Sequence, residues 1–196
     1  MAKYSGSTRD RILQAALREL AARGSAGLTM ARVAASAGVS TALLHYHYDT
    51  RQRLLVAAAN VLLQTRQRAR AVAAREHRGL AALDAIWQAL VAAARDGTER
   101  ARVELNSIAA SDGELASRLA TARSEERAMW LAVVPTLLRD LGAAPALSSE
   151  ELAALVHTTV DALGTQLALG EDPVSARATY DAFWLLLVSA QGRERS

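Results

Sequence analysis

Apolar residues recur at helical spacing from the first part of the chain onward. Residues 7–23 carry an apolar stripe with charged residues away from it, and this 3.6-residue period predicts an amphipathic helix. Gly24 and Gly27 follow the stripe and predict the end of that helix. The stripe consists of Ile12, Leu13, Ala16, Leu17 and Leu20.

Three hydroxyl residues mark the starts of the next helices. Thr29, Ser40 and Thr50 each precede a segment of helical pattern, and their side chains can accept hydrogen bonds from the free N–H groups of a first helical turn. Gly38 separates the first two segments, so the pattern predicts a short helix after Thr29, another over residues 41–47 and a longer one after Thr50. Two short helices joined by a tight glycine turn are typical of a helix-turn-helix unit.

The rest of the chain continues the helical pattern. Glycine and proline are scarce, with 11 and 3 in 196 residues, which favours helix over strand. Ser149 and Asp172 are expected to cap two of these helices, and Pro135 is expected to kink one. The predicted helices cover residues 50–75, 79–96, 98–110, 113–141, 148–169 and 173–191. We therefore predict an all-α fold of about nine helices, with a three-helix N-terminal domain over residues 1–50 and a C-terminal helical domain over residues 51–196.

Composition and charge narrow the class of protein. A hydrophobic content of 51% suits a substantial core, and the lack of cysteine excludes disulfides and thiolate metal sites. No signal-peptide pattern is visible, and the apolar windows reach about half of the roughly 20 residues of a membrane span, so we expect a cytoplasmic protein. Residues 1–55 carry 8 basic and 3 acidic groups, whereas residues 56–196 carry 15 and 17. A basic head on a near-neutral body suits the binding of nucleic-acid phosphates.

The segment TMARVAASAGVSTALLHYHYDTRQRLL, from Thr29 onward, resembles the TetR family of bacterial transcriptional regulators. The matching positions are Thr29, Val33, Ala34, Ala37, Gly38, Val39, Ser40, Leu44 and Leu54. Tyr48 stands where the family usually has Phe, and Arg51 where it has Lys. His45 replaces the usual Tyr, and Leu43 the frequent Thr. The resemblance covers residues 7–56 and implies an N-terminal DNA-binding domain and a C-terminal ligand-binding and dimerisation domain.

The third predicted helix is the candidate DNA-reading element. Its N-terminus should direct Ser40, Thr41 and Ala42 toward the major groove, with Thr41 on a base edge and Ala42 against a thymine methyl group. Tyr46 and His47, about one turn later, are expected to reach bases or backbone. The alternative is that these two side chains only solvate the surface of the domain.

Three further residues are expected to contact the DNA backbone. Thr29 and Arg51, at the N-termini of the second and fourth helices, suit phosphates and would position the domain without reading sequence. The position of His45 commonly helps the family to touch the backbone, and its ring can donate a hydrogen bond to a phosphate, more strongly if protonated. Operator binding would then strengthen below about pH 6.5.

The cluster of histidines also suggests a metal site or a catalytic site. Residues at i and i+2 on a helix project about 200° apart, so His45 and His47 cannot readily bind one ion. No HExxH or GxSxG element is present, and we expect no metal, no cofactor and no enzyme activity. A small all-helical enzyme is the alternative from another class, with His157 and Asp161 as its only acid-base pair.

The C-terminal domain carries a sparse set of residues suited to a small-molecule pocket. Such pockets combine large apolar surfaces with few polar anchors, and we expect an apolar or weakly polar effector. The candidate ligand-binding residues are Trp87, Asn106, Met129, Trp130, His157 and Asp161. Each has a simpler interpretation: the tryptophans as core, and His157 with Asp161 as an ion pair on a helix surface.

The last predicted helix contains the segment TYDAFWLLLVSA, in which residues 182–188 are apolar nearly all round. The core of a monomer normally covers only one face of such a helix, so a second apolar face is left over. The resemblance implies that the last two helices of two subunits pair into a four-helix interface, so we expect a homodimer. The candidate interface residues are Leu163, Leu167, Tyr180, Phe183, Trp184, Leu187 and Val188. The alternative is a central core helix within one subunit.

Five arginines in residues 66–78 are interpreted as a solvated helix face. Arg68 lies about 26 Å along the helix from Arg51, so the two cannot contact the same stretch of DNA backbone. Together these observations predict a dimeric regulator of transcription that a small molecule releases from a palindromic double-stranded DNA operator, and hence a repressor. A ligand-independent or activating regulator of the same fold is the alternative.

Overall fold

A computed structural model describes residues 7–144 and 146–189. Within these residues the chain forms nine helices and no strand, so the all-α prediction is confirmed. The helices are α1 (Thr8–Gly27), α2 (Met30–Ala37), α3 (Thr41–His47), α4 (Arg51–Glu76), α5 (Gly79–Arg95), α6 (Thr98–Ala109), α7 (Gly113–Asp140), α8 (Ser149–Ala168) and α9 (Pro173–Ser189). The predicted end of the last helix at residue 191 lies outside the described residues.

The helices form two compact units. The first unit holds the described residues up to Gln64 together with Arg100–Thr121, and the second holds Thr65–Glu99 with the described residues from Ala122 onward. The first half of α4 belongs to the first unit because its inward side chains join that unit's core. Those side chains are Leu54, Leu55, Ala58, Ala59 and Leu62. The compact first unit therefore extends beyond residue 50, the predicted domain boundary.

The first unit packs around the apolar stripe of α1. Ile12 and Leu20 of α1 are fully buried, and Val33 of α2 and Leu44 of α3 join the same cluster. Burial of one such side chain stabilises by about 1.5–3 kcal/mol. These few contacts therefore hold both short helices, although neither is long enough to be stable alone.

The turn between α2 and α3 depends on one glycine. Gly38 adopts φ 66° and ψ 40°, a left-handed conformation that most other residues rarely adopt. The backbone N–H of Val39 then donates to the carbonyl oxygen of Ala34 at 3.0 Å and closes the end of α2. Ala34 is buried, and Val39 packs against the core of the unit.

Side-chain caps begin helices where the sequence predicted them. Thr29, Ser40 and Thr50 each accept a hydrogen bond from the backbone N–H three residues later, at 3.3, 3.1 and 3.1 Å. Asp172 accepts from the N–H of Ser175 at 3.3 Å, just before α9. Each such cap stabilises its helix by about 1 kcal/mol, which explains why these boundaries follow the local sequence.

The start of α8 corrects one prediction, because its cap is Ser148 rather than Ser149. The hydroxyl of Ser148 accepts from the N–H of Glu151 at 3.3 Å, and the Glu151 carboxylate accepts from the N–H of Ser148 at 2.8 Å. The backbone N–H and the hydroxyl of Ser148 both donate to the Glu151 carboxylate, and these hydrogen bonds lower the pKa of Glu151. Ser148 is favoured because only it has a glutamate at the third helical position that can complete the capping box.

The second unit packs α8 against α5 and α9. Trp87 of α5 and Trp130 of α7 lie in its core with much of α8. Gly164 permits close packing of α8, because a Cβ atom there would lie 2.9 Å from a carboxylate oxygen of Glu99 and 3.1 Å from Cδ1 of Leu90. In the described part of the chain, no helix is long and apolar enough to cross a membrane.

Candidate functional sites

The third helix separates buried from exposed side chains. Leu44 is fully buried and Tyr48, its C-cap residue, is nearly so, whereas Thr41, Ala42 and Tyr46 are exposed. Tyr46 is 83% exposed, although it is a large aromatic residue. Leu44 and Tyr48 are one helical turn apart and therefore lie on the same, inward side of α3. The opposite side of α3 is left available to a partner.

The two histidines of α3 lie in different surroundings. His45 is exposed, and its Nδ1 lies 3.4 Å from the carbonyl oxygen of Asp49. His47 is half-buried, and its ring meets that of Tyr46 edge to face with centroids 5.4 Å apart. Among the described residues, no three histidine, aspartate or glutamate side chains converge as a metal site would require.

The other predicted DNA contacts lie in the same unit. Thr29 and Ser40 are exposed while their hydroxyls cap α2 and α3. The guanidinium of Arg51 is directed at the protein instead: its Nε donates to the carbonyl oxygen of Leu28 at 3.2 Å and its Nη2 to that of Ser25 at 2.9 Å. Arg51 thus holds backbone carbonyls, a role that the sequence did not predict.

A contact between α1 and the end of α3 was also not predicted. The Nε of Arg9 donates to the hydroxyl of Tyr48 at 3.0 Å, and the guanidinium lies 5.5 Å from the centre of the ring. The TetR family usually has Phe at the position of Tyr48. The hydroxyl of Tyr48 was therefore the one feature of the sequence that could have indicated this contact. The bond gives α3 a polar tie to α1 in addition to apolar packing.

The predicted ligand-binding residues are divided between the two units. Trp87, Met129, Trp130 and His157 are buried in the second unit, and the first three belong to its apolar core. Asn106 belongs to the first unit, is exposed, and donates from its amide to the backbone carbonyl oxygen of Arg102 at 3.1 Å. The tryptophans therefore occupy the core positions that their simpler interpretation assigned to them.

A charged cluster lies inside the second unit and corrects the interpretation of the arginine run. Arg66 and Arg70 are only 4% and 3% exposed, so they are not part of a solvated helix face. Arg66 contacts Glu99 at 2.8 Å and Glu126 at 3.4 Å, and Arg70 donates to Glu126 as well. The carboxylates come from α6 and α7, and they offset the cost of burying two guanidinium groups.

His157 and Asp161 do not form the predicted surface ion pair. Asp161 accepts from Nη2 of Arg66 at 2.7 Å and so belongs to the charged cluster. His157 is buried, and its Nδ1 lies 3.9 Å from a carboxylate oxygen of Glu126, too far for a hydrogen bond. Burial lowers the pKa of His157, although Glu126 and Asp161 oppose this effect.

The last helix has a buried face and an exposed apolar face. Tyr180, Trp184 and Leu187 are buried within the chain itself, as is Leu163 of α8. These four of the predicted interface residues therefore lie in the chain's own core rather than on its surface. Leu167, Phe183 and Val188 are half-buried. The outward apolar positions are Val174, Ala178, Ala182, Leu185 and Leu186.

The arrangement of α1–α3, with two short helices joined by a tight glycine turn, is that of helix-turn-helix proteins. Residues 12–58 match the family model described as bacterial regulatory proteins, tetR family. A 55-residue stretch is 38% identical to the HTH-type transcriptional regulator BetI of Rhizobium meliloti, over 28% of this chain and 27% of that protein. The chain thus aligns with about a quarter of that relative's length. The N-terminal segment is therefore similar to that of the TetR family of bacterial regulatory proteins, which confirms the resemblance that the sequence indicated.

Solved structures share the fold over nearly the whole chain. A TetR-family transcriptional regulator from Rhodococcus sp. superposes with a TM-score of 0.77 at 23% identity, covering 93% of this chain and 98% of that one. A transcriptional regulator from Saccharomonospora viridis, in complex with choline, superposes with a TM-score of 0.71 at 17% identity, covering 91% and 94%. The proteins named here are regulators rather than enzymes.

Proposed function

We propose that the chain is a homodimeric DNA-binding regulator of transcription that acts in the cytoplasm on a two-fold symmetric operator. The observation that carries the proposal is the exposed side of α3 on a basic N-terminal segment. The side chain of Tyr46 is 83% exposed and lies on the same short helix as the exposed Thr41 and Ala42. A helix with such side chains can enter a major groove about 12 Å wide.

The proposed contacts divide into two kinds. Base edges would be read by Thr41, Ala42 and Tyr46, which are exposed on α3. Ser40, Thr29 and the histidines would contact phosphates and fix the orientation of the domain. Half-buried His47 would reach the DNA only beside Tyr46, whose ring it touches.

The apolar outer face of α9 supports the homodimer. Leu185 and Leu186 are each 68% exposed, and Ala182 and Ala178 lie about one and two helical turns before them. Small residues beside large apolar ones allow two helices to approach closely and bury the large side chains. A second copy of this chain is the proposed occupant, because a two-fold pair places two N-terminal units on two half-sites.

A small molecule is proposed to bind the second unit and to release the operator, which makes the chain a repressor. Nε1 of Trp130 and Nδ1 of His157 are buried without a hydrogen-bond partner among the described residues, and buried polar atoms normally have one. Met129 lies in the same apolar core as Trp130. The choline complex of the Saccharomonospora viridis regulator supports a small-molecule effector for this fold. Release requires that the effector bind one of two states more tightly.

Selection of DNA from a random duplex library by the purified chain tests the proposal. We expect enrichment of a palindrome that is bound in the nanomolar range, with affinity falling steeply as salt rises. Light scattering on the complex should give two chains per duplex. Enrichment of no sequence above the starting library, at low and at physiological salt, would contradict the proposed function.

A further inference from the structure

The last turn of α1, beyond its kink at Gly24, leads with Leu28 toward α2 and is held from two sides within the first unit. Residues 24–28 are called the connector. From the start of α4, Arg51 donates two hydrogen bonds to it, to the carbonyl oxygens of Leu28 at 3.2 Å and Ser25 at 2.9 Å. From α6, the carboxylate of Glu104 accepts a hydrogen bond from the N–H of Ser25 at 2.8 Å. Two helices remote in sequence therefore fix one short segment.

The geometry of the arginine contact is specific to a guanidinium. Nε and Nη2 lie on one edge of the planar group, so Arg51 can hold two carbonyl oxygens at the same time. A lysine carries the same charge on a single nitrogen and has no such edge. Leu28, whose carbonyl oxygen accepts from Nε, lies directly before Thr29, the residue that caps α2. The contact therefore fixes the place where α2 begins.

The glutamate contact depends on a glycine. Gly24 has φ 67°, which breaks the helical path of α1 and turns the following N–H toward α6. A Cβ atom at Gly24 would lie 3.0 Å from Oε2 of Glu104, closer than such atoms normally approach. The absence of a side chain at Gly24 thus permits the carboxylate to reach Ser25.

We propose that Arg51 and Glu104 are positioning residues for DNA binding: they hold the connector and so set the place of α2, against which α3 packs. The proposal rests on the proposed DNA-binding function. It gives Arg51 a role through protein carbonyls rather than through a DNA phosphate. It also gives an acidic side chain a favourable effect on DNA binding, opposite in sign to its repulsion of phosphates.

Arg51→Lys and Arg51→Gln test the first half, with binding to the selected duplex measured between 50 and 200 mM salt. Both variants should lose about tenfold in affinity, because each loses the paired hydrogen bonds, while the slope of log K against log salt stays unchanged. Arg53→Lys, on the same helix and 70% exposed, is the matched control and should bind like wild type. Wild-type affinity for Arg51→Lys, with a slope reduced by about 0.9 for Arg51→Gln, would indicate a phosphate contact and overturn the proposal.

Glu104→Ala tests the second half through the sign of its effect. Loss of a negative charge alone would tighten DNA binding, whereas loss of the connector contact should weaken it about tenfold. Glu114→Ala, which removes an exposed acidic residue from the same unit, is the control and should bind as wild type or more tightly. Tighter or unchanged binding by Glu104→Ala would refute the proposal.

Hydrogen exchange in the free protein separates this proposal from the proposed function. The backbone N–H groups of residues 25–32 should exchange faster in Arg51→Lys and Glu104→Ala than in wild type, while those of α5 and α8 stay unchanged. Exchange at wild-type rates in the connector would overturn the proposal even if DNA binding were intact. Failure of the wild-type chain to bind any duplex would count against the proposed function, and the exchange experiment would still test the two contacts.

Discussion

The hydroxyl of Tyr180 on α9 donates a hydrogen bond of 2.8 Å to the backbone carbonyl oxygen of Leu83 on α5. The ring is fully buried and lies against that of Trp87, with centroids 5.4 Å apart. These two contacts fix which face of α9 points into the core of the second unit. Leu185 and Leu186 consequently lie on the other face, exposed to solvent in one chain.

The exposed face of α9 gives a direct test of assembly. Leu186→Glu should turn the proposed dimer into a monomer, because two copies of a buried leucine are replaced by two charges. Loss of about 1.5 kcal/mol or more per copy raises the dissociation constant at least 100-fold. Size-exclusion chromatography with light scattering at micromolar concentration measures the change.

Tyr180→Phe is the matched variant on the inner face. It should leave the mass of the dimer unchanged and lower the free energy of unfolding by about 1 kcal/mol, the value of one hydrogen bond, in urea titrations. A dimer that persists in Leu186→Glu, or one that is lost in Tyr180→Phe without unfolding, would show that the wrong face had been assigned.

Tyr46 should matter for DNA binding and hardly at all for folding. Tyr46→Ala should weaken binding to the selected duplex about tenfold, while the free energy of unfolding stays within about 0.5 kcal/mol of wild type, because the side chain is 83% exposed. Tyr46→Phe separates the ring from its hydroxyl. Fluorescence anisotropy gives the affinities, and equal affinity for Tyr46→Ala and wild type would remove Tyr46 from the interface.

Removal of one carboxylate from the charged cluster should lower the free energy of unfolding strongly. Glu126→Leu leaves Arg66 and Arg70 buried with fewer counter-charges, and we expect a loss of about 3–5 kcal/mol of stability. As a control, Asp140→Ala breaks a pair with Arg78, whose side chain is 75% exposed, and should cost no more than about 1 kcal/mol. Urea unfolding at pH 7.5 compares the two, and equal losses would contradict a buried cluster.

His157 should make the protein less stable in mild acid. Its pKa in the folded chain is lowered, chiefly by burial, so the unfolded chain takes up a proton at a pH where the folded chain does not. The corresponding stability is present above the unfolded value near 6.5 and is lost as the pH falls from there toward the folded value. Urea titrations at pH 7.5 and 5.5 should show a smaller decrease for His157→Gln than for wild type, and equal decreases would exclude this contribution.

Local sequence was sufficient for the helices and for most of their boundaries. Capping hydroxyls and a left-handed glycine act within a few residues, so Thr29, Ser40 and Gly38 could be assigned before any packing was known. Helical spacing likewise predicted the inward positions of Leu44 and Tyr48. At the start of α8 two adjacent serines compete to cap the helix, and Ser148 is selected over the predicted Ser149 because Glu151 lies at its third helical position.

The sequence by itself determined the all-α fold, the helix-turn-helix and the exposed side of α3, because each depends on interactions within a few residues. Only the tertiary structure decided where Arg51, Arg66 and Arg70 point. A charged side chain of this length goes to solvent unless carbonyls or carboxylates from other helices meet it, and those partners lie 23 to 95 residues away in the chain. The inward face of α9 was undetermined for the same reason: a helix that is apolar nearly all round carries no local signal of which side its neighbours will cover.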